Sequence, residues 1–331
     1  MTWFERLTGC VEESPEHVRQ QLVVDGNRLH CRLNGKSWIC GELELPTLAQ
    51  LRERVRRVDH DHRQISVSEV VANAQHLHRD PSNENAVFQV ASQFNLLEMT
   101  SPGVTPECGV GIYEDDFTQG PACAIAAGAG TIYRNYFANV NGKIGQSANN
   151  QIDCLSGIGT SLDNSAERLW QMLNGYALPS PTGLDEINQK LTNMDDAARD
   201  TVRQALQIGM QWGTQVTLDD ASHTVSQAYC SAMPVAYTRQ PPTLWAPFAS
   251  LVLEAAYEAT TCAAIVNFDR TGNNRLFLTL LGGGAFGNDP EWIIGAIRRS
   301  LVLYSDSGLD VSIVSFGGSN RSIRSLVSEF A

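Results

Sequence analysis

The segment RLFLTLLGGGAFGNDPEWIIGAIRRSL, from Arg275 to Leu301, runs an apolar strand pattern into four glycines within six residues, then into a helix pattern opening with Asp289, Pro290 and Glu291. Glycines let a backbone approach a ligand closely, and unpaired N–H groups at the positive end of a helix favour an anion. Pro290 suits the first helical position, and Asn288 or Asp289 can cap the free donors. The loop therefore reads as a phosphate cradle. Gly282, Gly284 and Gly287 also satisfy G-x-G-x-x-G, but a dinucleotide-binding fold needs several strands after that loop and an acid about 20 residues further on. Only one strand, near 311–316, follows here, and Asp310 precedes it. A tight strand-to-helix turn with glycines for packing is the plainer alternative.

A second polar group gathers between Ala86 and Phe137. An apolar strand leads into Ser92-Gln93-Phe94-Asn95, followed by Glu98, by a loop with Glu107, and by Glu114-Asp115-Asp116 before a helix opening at Gln119-Gly120-Pro121. Asp116 and Thr118 stand where N-caps belong, so part of this acidity can serve the helix start. Glu98 stands apart because it lies between Leu97 and Met99, directly after the strand and after an Asn able to hydrogen-bond a sugar.

These candidates sit in a chain of 331 residues, 43% hydrophobic, with a formal net charge of −12. That is length enough for a large core in one or two domains. With no run of Lys or Arg, nucleic acid and anionic membranes are poor partners, and a phosphate must be held mainly by backbone N–H groups. The N-terminus lacks a basic segment followed by an apolar core, and no run of about 18 uninterrupted apolar residues occurs. A soluble, cytoplasmic protein is expected. The eight cysteines lack metal-ligand spacing, so reduced thiols are expected and no metal site is assigned. The string Asp59, His60, Asp61, His62 reads as a solvated loop.

Residues 1–63 read as an accessory region, with a hairpin around Asn34-Gly35 and a helix near 47–58. From 64 to 331 strands are expected at 64–71, 86–92, 214–218, 226–233, 275–281 and 311–316. Helices are expected at 119–129, 163–176, 184–192, 195–212, 244–266, 290–304 and 320–330. Residues 138–162 and 178–187 read as surface loops that can serve as lids. Alternation of strands and helices predicts an α/β fold with a mixed central sheet covered on both faces, and a ligand site outside the carboxyl ends of its strands.

A strand ending in VAS-x-x-N, a Gly-rich region after it, and a late strand, GGGAFGN and helix resemble the macrodomain fold of ADP-ribose-binding and ADP-ribose-hydrolysing proteins. Within it the chain is most similar to the poly(ADP-ribose) glycohydrolase-like branch, including effector-type hydrolases that remove ADP-ribose from protein side chains, ubiquitin among them. The specific motifs lie within 86–137 and 275–301. The resemblance implies a macrodomain-like three-layer fold, ADP-ribose and ADP-ribosylated protein as partners, and no cofactor. It departs from that branch in two places: LLEMTSPG follows Asn95 where a GGG run belongs, and TQGP stands near the place of a Gln-Glu-Glu signature. These departures favour mono-ADP-ribosyl linkages over poly(ADP-ribose) chains.

The resemblance further implies that Gln93 and Asn95 orient the distal ribose, that Gly282, Gly283, Gly284 and Ala285, on a loop closed by Gly287, donate to the diphosphate, and that Phe286 walls the ligand. Asn288 would cap the helix or meet the ligand. Cleavage at the anomeric carbon passes through an oxocarbenium-like state that carboxylates suit. Glu98 and Asp116 are the expected catalytic acids, with Glu107 and Asp115 beside them. A basic arginine leaving group fits clustered acids better than an ester does. Two other classes stay open: a reader that binds ADP-ribose without cleaving it, and a metal-dependent nucleotide diphosphate hydrolase, whose aspartates would hold a divalent ion.

Overall fold

The structure, a computed structural model, describes residues 1–58 and 63–331, so the Asp59 to His62 string lies outside the described residues. Seven strands form the central sheet: β1 (Glu42–Glu44), β2 (Ser66–Val71), β3 (Val87–Ala91), β4 (Gly209–Gln215), β5 (Thr224–Cys230), β6 (Arg275–Leu278) and β7 (Asp310–Ser315). Their spatial order is β1-β4-β5-β3-β6-β7-β2. The run from β5 to β2 is parallel, whereas β1, β4 and β5 pair antiparallel.

β3 explains why the sheet is covered twice. Val87 to Val90 are all buried, as a strand sandwiched between two helical layers requires. On one face Gln89 donates to the Thr260 hydroxyl of the long helix Pro242–Thr271 at 3.1 Å. On the other, Phe88 stacks on His78 of helix Ala74–Arg79 at 3.8 Å and on Phe277 of β6 at 4.5 Å. Burial pushes the His78 imidazole down to about 4, so it is neutral and serves as a core ring. The long helix is apolar all round because it is buried all round: 89% of its most apolar 18-residue window lies inside the protein.

Several expected elements take a different form. Residues 119–129 are not one helix: α1 (Gln119–Ala126) and α2 (Gly128–Tyr136) meet at a break at Ala127. A Cβ on Gly128 would sit 2.6 Å from the Trp3 ring, so the second helix starts where the N-terminal segment crosses it. The expected helix at 163–176 is a hairpin, Trp170–Leu173 with Tyr176–Pro179, turned by Asn174 (φ 47°) and Gly175 (φ 81°). Two successive positive φ values are what an Asn-Gly turn between strands supplies. The expected helix at 195–212 stops at Gln204, and β4 begins at Gly209, ahead of the expected 214–218. The presumed loop at 138–162 holds a short hairpin and helix Ser156–Leu162, with Ile152, Cys154 and Leu155 in the core. Residues 178–187 close that other hairpin and open helix Pro181–Asn193, capped by Ser180.

The N-terminal region is woven into the rest. β1 is an edge strand of the main sheet, paired with β4. Trp3, Phe4, Leu29 and Trp38 share a core with Leu97, Met99, Val110, Tyr113, Ile132 and Tyr136, which places residues 1–40 directly behind the loops that follow β3.

Candidate active site

A cleft opens at the carboxyl ends of β3, β5 and β6, three adjacent strands of the parallel run. Ser92 and Gln93 after β3, Ala232 and Tyr237 after β5, and residues 279–282 and 284–286 after β6 contribute to its lining. The cleft is open to solvent and its volume is about 170 Å³. That is below the roughly 300–1,000 Å³ of pockets that swallow a drug-sized ligand, so a larger ligand would insert one end.

The glycine loop forms one wall. Tyr257 fixes its entry: its hydroxyl donates to the Thr279 carbonyl at 2.6 Å and accepts from the Leu281 amide at 2.9 Å. Asn288 fixes its exit, its amide nitrogen donating to the Met233 carbonyl at 2.8 Å and its backbone N–H to the Gly282 carbonyl at 3.0 Å. Between these staples, the N–H groups of Gly282, Gly284, Ala285 and Phe286 have no acceptor among the described residues. Gly282 must be glycine, because its φ is 73° and a Cβ there would sit 2.4 Å from Ala232. The helix start itself is already satisfied: Asp289 caps Pro290–Leu303 and accepts from the Glu291 amide. The free donors therefore lie in the loop, and the negative cap moves the anion site away from the helix end.

The opposite wall carries the acids. Glu98 is buried, and its Oε1 has no hydrogen-bond partner among the described residues. Its backbone N–H donates to the Tyr113 hydroxyl at 3.1 Å. Burial holds the Glu98 carboxyl well above the ordinary carboxylate range; the charge of Arg134 opposes this and that of Asp116 adds to it. Gly120 makes room for it: a Cβ there would sit 2.4 Å from Glu98 Oε2 and 2.1 Å from the Ala91 carbonyl. Asp116 is half-buried and also lines the cleft, its Oδ1 accepting from the Thr118 amide at 2.9 Å. Gln119 ties α1 to β3, accepting from the Ala91 amide and donating to the Gln89 carbonyl. No Lys, Arg or His is among the residues lining the cleft.

Of the residues singled out in the sequence, the cleft brings together Gln93, Glu98, Asp116, Gly282, Gly284, Ala285 and Phe286. The others stand elsewhere. Asn95 is buried and spent internally, donating to Gln151 at 2.8 Å and accepting from the Leu97 amide. Glu107 is exposed and clamps the Ala148 amide. Asp115 is exposed beyond the rim. Gly283 and Gly287 shape the loop, their amides turned back to Leu280 and Gly284, and Asn288 braces it.

Two further cleft residues escaped the sequence reading. Tyr176 and Tyr237 surround Phe286 with ring centroids 5.0–5.5 Å apart, making an aromatic end wall. The Asn174-Gly175 pair was the available signal for Tyr176, since it sets the hairpin that delivers that ring; Tyr237 gave none.

The fold and cleft define a mixed α/β protein with a ligand site at the carboxyl ends of its parallel strands. No known protein family and no curated protein matches the sequence. Among solved structures, the chain is similar to poly(ADP-ribose) glycohydrolase from Thermomonospora curvata, at 12% identity and TM-score 0.46, over 92% of this chain and 94% of that one. It is also similar to poly(ADP-ribose) glycohydrolase from Deinococcus radiodurans in complex with ADP-ribose, at 12% identity and TM-score 0.45, over 87% and 94% of the two chains.

Proposed function

We propose that the protein is an ADP-ribosyl hydrolase that releases ADP-ribose from modified protein side chains, arginine-linked in the first instance. The observation that carries this reading is the juxtaposition, in one cleft, of unpartnered loop amides with a buried, proton-retaining carboxyl and a second, solvent-touching one. The amides suit a diphosphate, and a protonated Glu98 does not repel it. Phe286, Tyr176 and Tyr237 supply an apolar wall for a sugar face or base.

The roles divide by environment. Glu98, kept protonated by burial, serves as the general acid; Asp116, nearer solvent, serves as the base. The bond between the anomeric carbon and the arginine nitrogen breaks with its electron pair on nitrogen, which takes the Glu98 proton as it departs. Water adds to the anomeric carbon and gives its proton to Asp116, and exchange with solvent resets both acids. The departures from the glycohydrolase pattern near Asn95 and at TQGP support single ADP-ribosyl units over chains.

The test is calorimetric titration with ADP-ribose, followed by incubation with arginine-, glutamate- and serine-linked substrates for wild type, Glu98→Gln and Asp116→Asn. Binding with release from the arginine linkage, slowed about a hundredfold or more by either substitution, is expected. Binding without release from any linkage would make the protein a reader, and release that depends on an added divalent ion and yields AMP would make it a diphosphate hydrolase.

A further inference from the structure

We infer that Glu12, far from the cleft in sequence, is a positioning residue for both of its acids. This rests on the proposed hydrolase reading. Glu12 lies between the first helix, Trp3–Thr8, and the next, Pro15–Gln21. Its Oε1 accepts from the Val110 amide at 2.9 Å and from the Tyr136 hydroxyl at 2.6 Å, and its Oε2 accepts from the Gly111 amide at 2.7 Å. The fit is close on both sides: a Cβ on Gly109 or on Gly111 would sit 2.7 Å from Glu12 Oε2. A carboxylate holding two consecutive amides and a hydroxyl is a strong, directional anchor.

What it anchors is the turn that carries the chemistry. Val110 and Gly111 open the 3₁₀ turn Gly111–Asp115. Within that turn the Tyr113 hydroxyl accepts the Glu98 amide at 3.1 Å, and the Tyr113 carbonyl accepts the Asp116 amide at 3.2 Å. One tyrosine thus sets the backbone of the buried acid and of the solvent-touching one, and Glu12 sets that tyrosine's turn. Trp3 adds a parallel tie, its indole N–H donating to the Val110 carbonyl at 2.7 Å and its amide to Glu114 at 2.8 Å. The glycine loop lies on the opposite wall and has no bond to this chain of contacts among the described residues. The N-terminal region therefore acts on the acids and leaves the anion cradle alone.

Replacing Glu12 by Gln leaves an oxygen for only one of the two amides and points an N–H₂ donor at the other. A small displacement of reacting groups can cost about a hundredfold in rate, so kcat for ADP-ribose release should fall by about 10- to 100-fold in Glu12→Gln. Calorimetric affinity for free ADP-ribose should stay within about threefold, because the loop amides are untouched. Hydrogen exchange at the Val110 and Gly111 amides should accelerate. Tyr136→Phe, which removes one donor and keeps both amide bonds, should fold normally and lose less rate. With an active wild type, an unchanged kcat in Glu12→Gln, or equal losses of affinity and turnover, would overturn the inference alone. A wild type that releases nothing from any linkage would overturn the proposed function and, with it, this role.

Discussion

The guanidinium of Arg134 lies 3.6 Å from the centre of the Tyr229 ring, fully buried, with one nitrogen, Nη1, lacking a partner among the described residues. Its Nε donates to the Leu96 carbonyl at 3.2 Å, two residues before Glu98, and its Nη2 to the Thr131 hydroxyl at 2.9 Å. A buried cation without a bonded carboxylate is costly unless the ring face and carbonyls repay it. Its charge works against the burial that keeps Glu98 protonated, so it would stabilise the anion that Glu98 becomes after donating its proton.

Arg134→Met should therefore weaken Glu98 as an acid. The alkaline limb of the pH–rate profile should move to higher pH while the plateau rate falls. Leaving the Leu96 carbonyl and the Thr131 hydroxyl without their donor should cost on the order of 1–3 kcal/mol, read by urea denaturation. An unmoved alkaline limb would mean that Arg134 does not act on the Glu98 proton.

Glu98→Gln should reduce ADP-ribose release by about 10²- to 10⁴-fold, the usual worth of a positioned general acid. It should also change stability with pH in a fixed direction. The native Glu98 pKa is raised, so the native state binds more protons than the unfolded one. That stabilisation is complete below the unfolded value of about 4.3 and is lost as pH rises through the native value. Thermal melts from pH 4 to pH 8 should show the variant gaining on wild type as pH rises; a constant difference would mean that Glu98 is ionised in the native protein.

Gly282 and Gly284 should differ in stability, though not in the direction of the binding change, when replaced by alanine. At Gly282 the positive φ and the 2.4 Å approach to Ala232 predict a loss of about 1–3 kcal/mol together with ligand binding. At Gly284 nothing lies within 4 Å of the added Cβ, so Gly284→Ala should stay within about 0.5 kcal/mol of wild-type stability. The methyl group beside a free amide should still weaken ADP-ribose binding. Equal affinity in Gly284→Ala and wild type would place the anion elsewhere.

These two glycines also show what could be read before folding. The loop was legible because its signals, glycines, a proline at the first helical position and a capping acid, are all local in sequence. Glu98 was legible because an acid between Leu97 and Met99 has no ordinary surface reason. Asn95, Glu107 and Asp115 were equally plausible by type, and only the fold spends the first on Gln151, the second on Ala148 and leaves the third outside. Residues 163–176 misled because Leu169, Trp170 and Leu173 imitate helical spacing while Asn174-Gly175 dictates a hairpin. Tyr237 reaches the cleft only through tertiary packing, which no local pattern announces.

Glu258 supplies a control outside the cleft. Its carboxylate pairs with Arg52 at 2.5 Å and Arg299 at 2.6 Å, and none of the three lines the cleft. Burial works to raise its pKa, but the hydrogen bonds from Arg52 and Arg299 prevail and hold it below the ordinary range. Its stabilising contribution is present above about pH 4.3 and lost on acidification. Glu258→Gln should cost on the order of 3–5 kcal/mol at neutral pH, with a smaller penalty in acid, by denaturant titration. Turnover per folded molecule should be unchanged; a selective loss of turnover would mean that the network reaches the site.

The most direct test is mass spectrometry of the products after an arginine-ADP-ribosylated protein is incubated with the wild-type protein without added metal. Intact ADP-ribose and a restored, unmodified arginine are expected, both formed at least about a hundredfold more slowly by Glu98→Gln. AMP with a ribose phosphate left on the arginine, or no product from a protein that binds ADP-ribose, would contradict cleavage at the anomeric carbon.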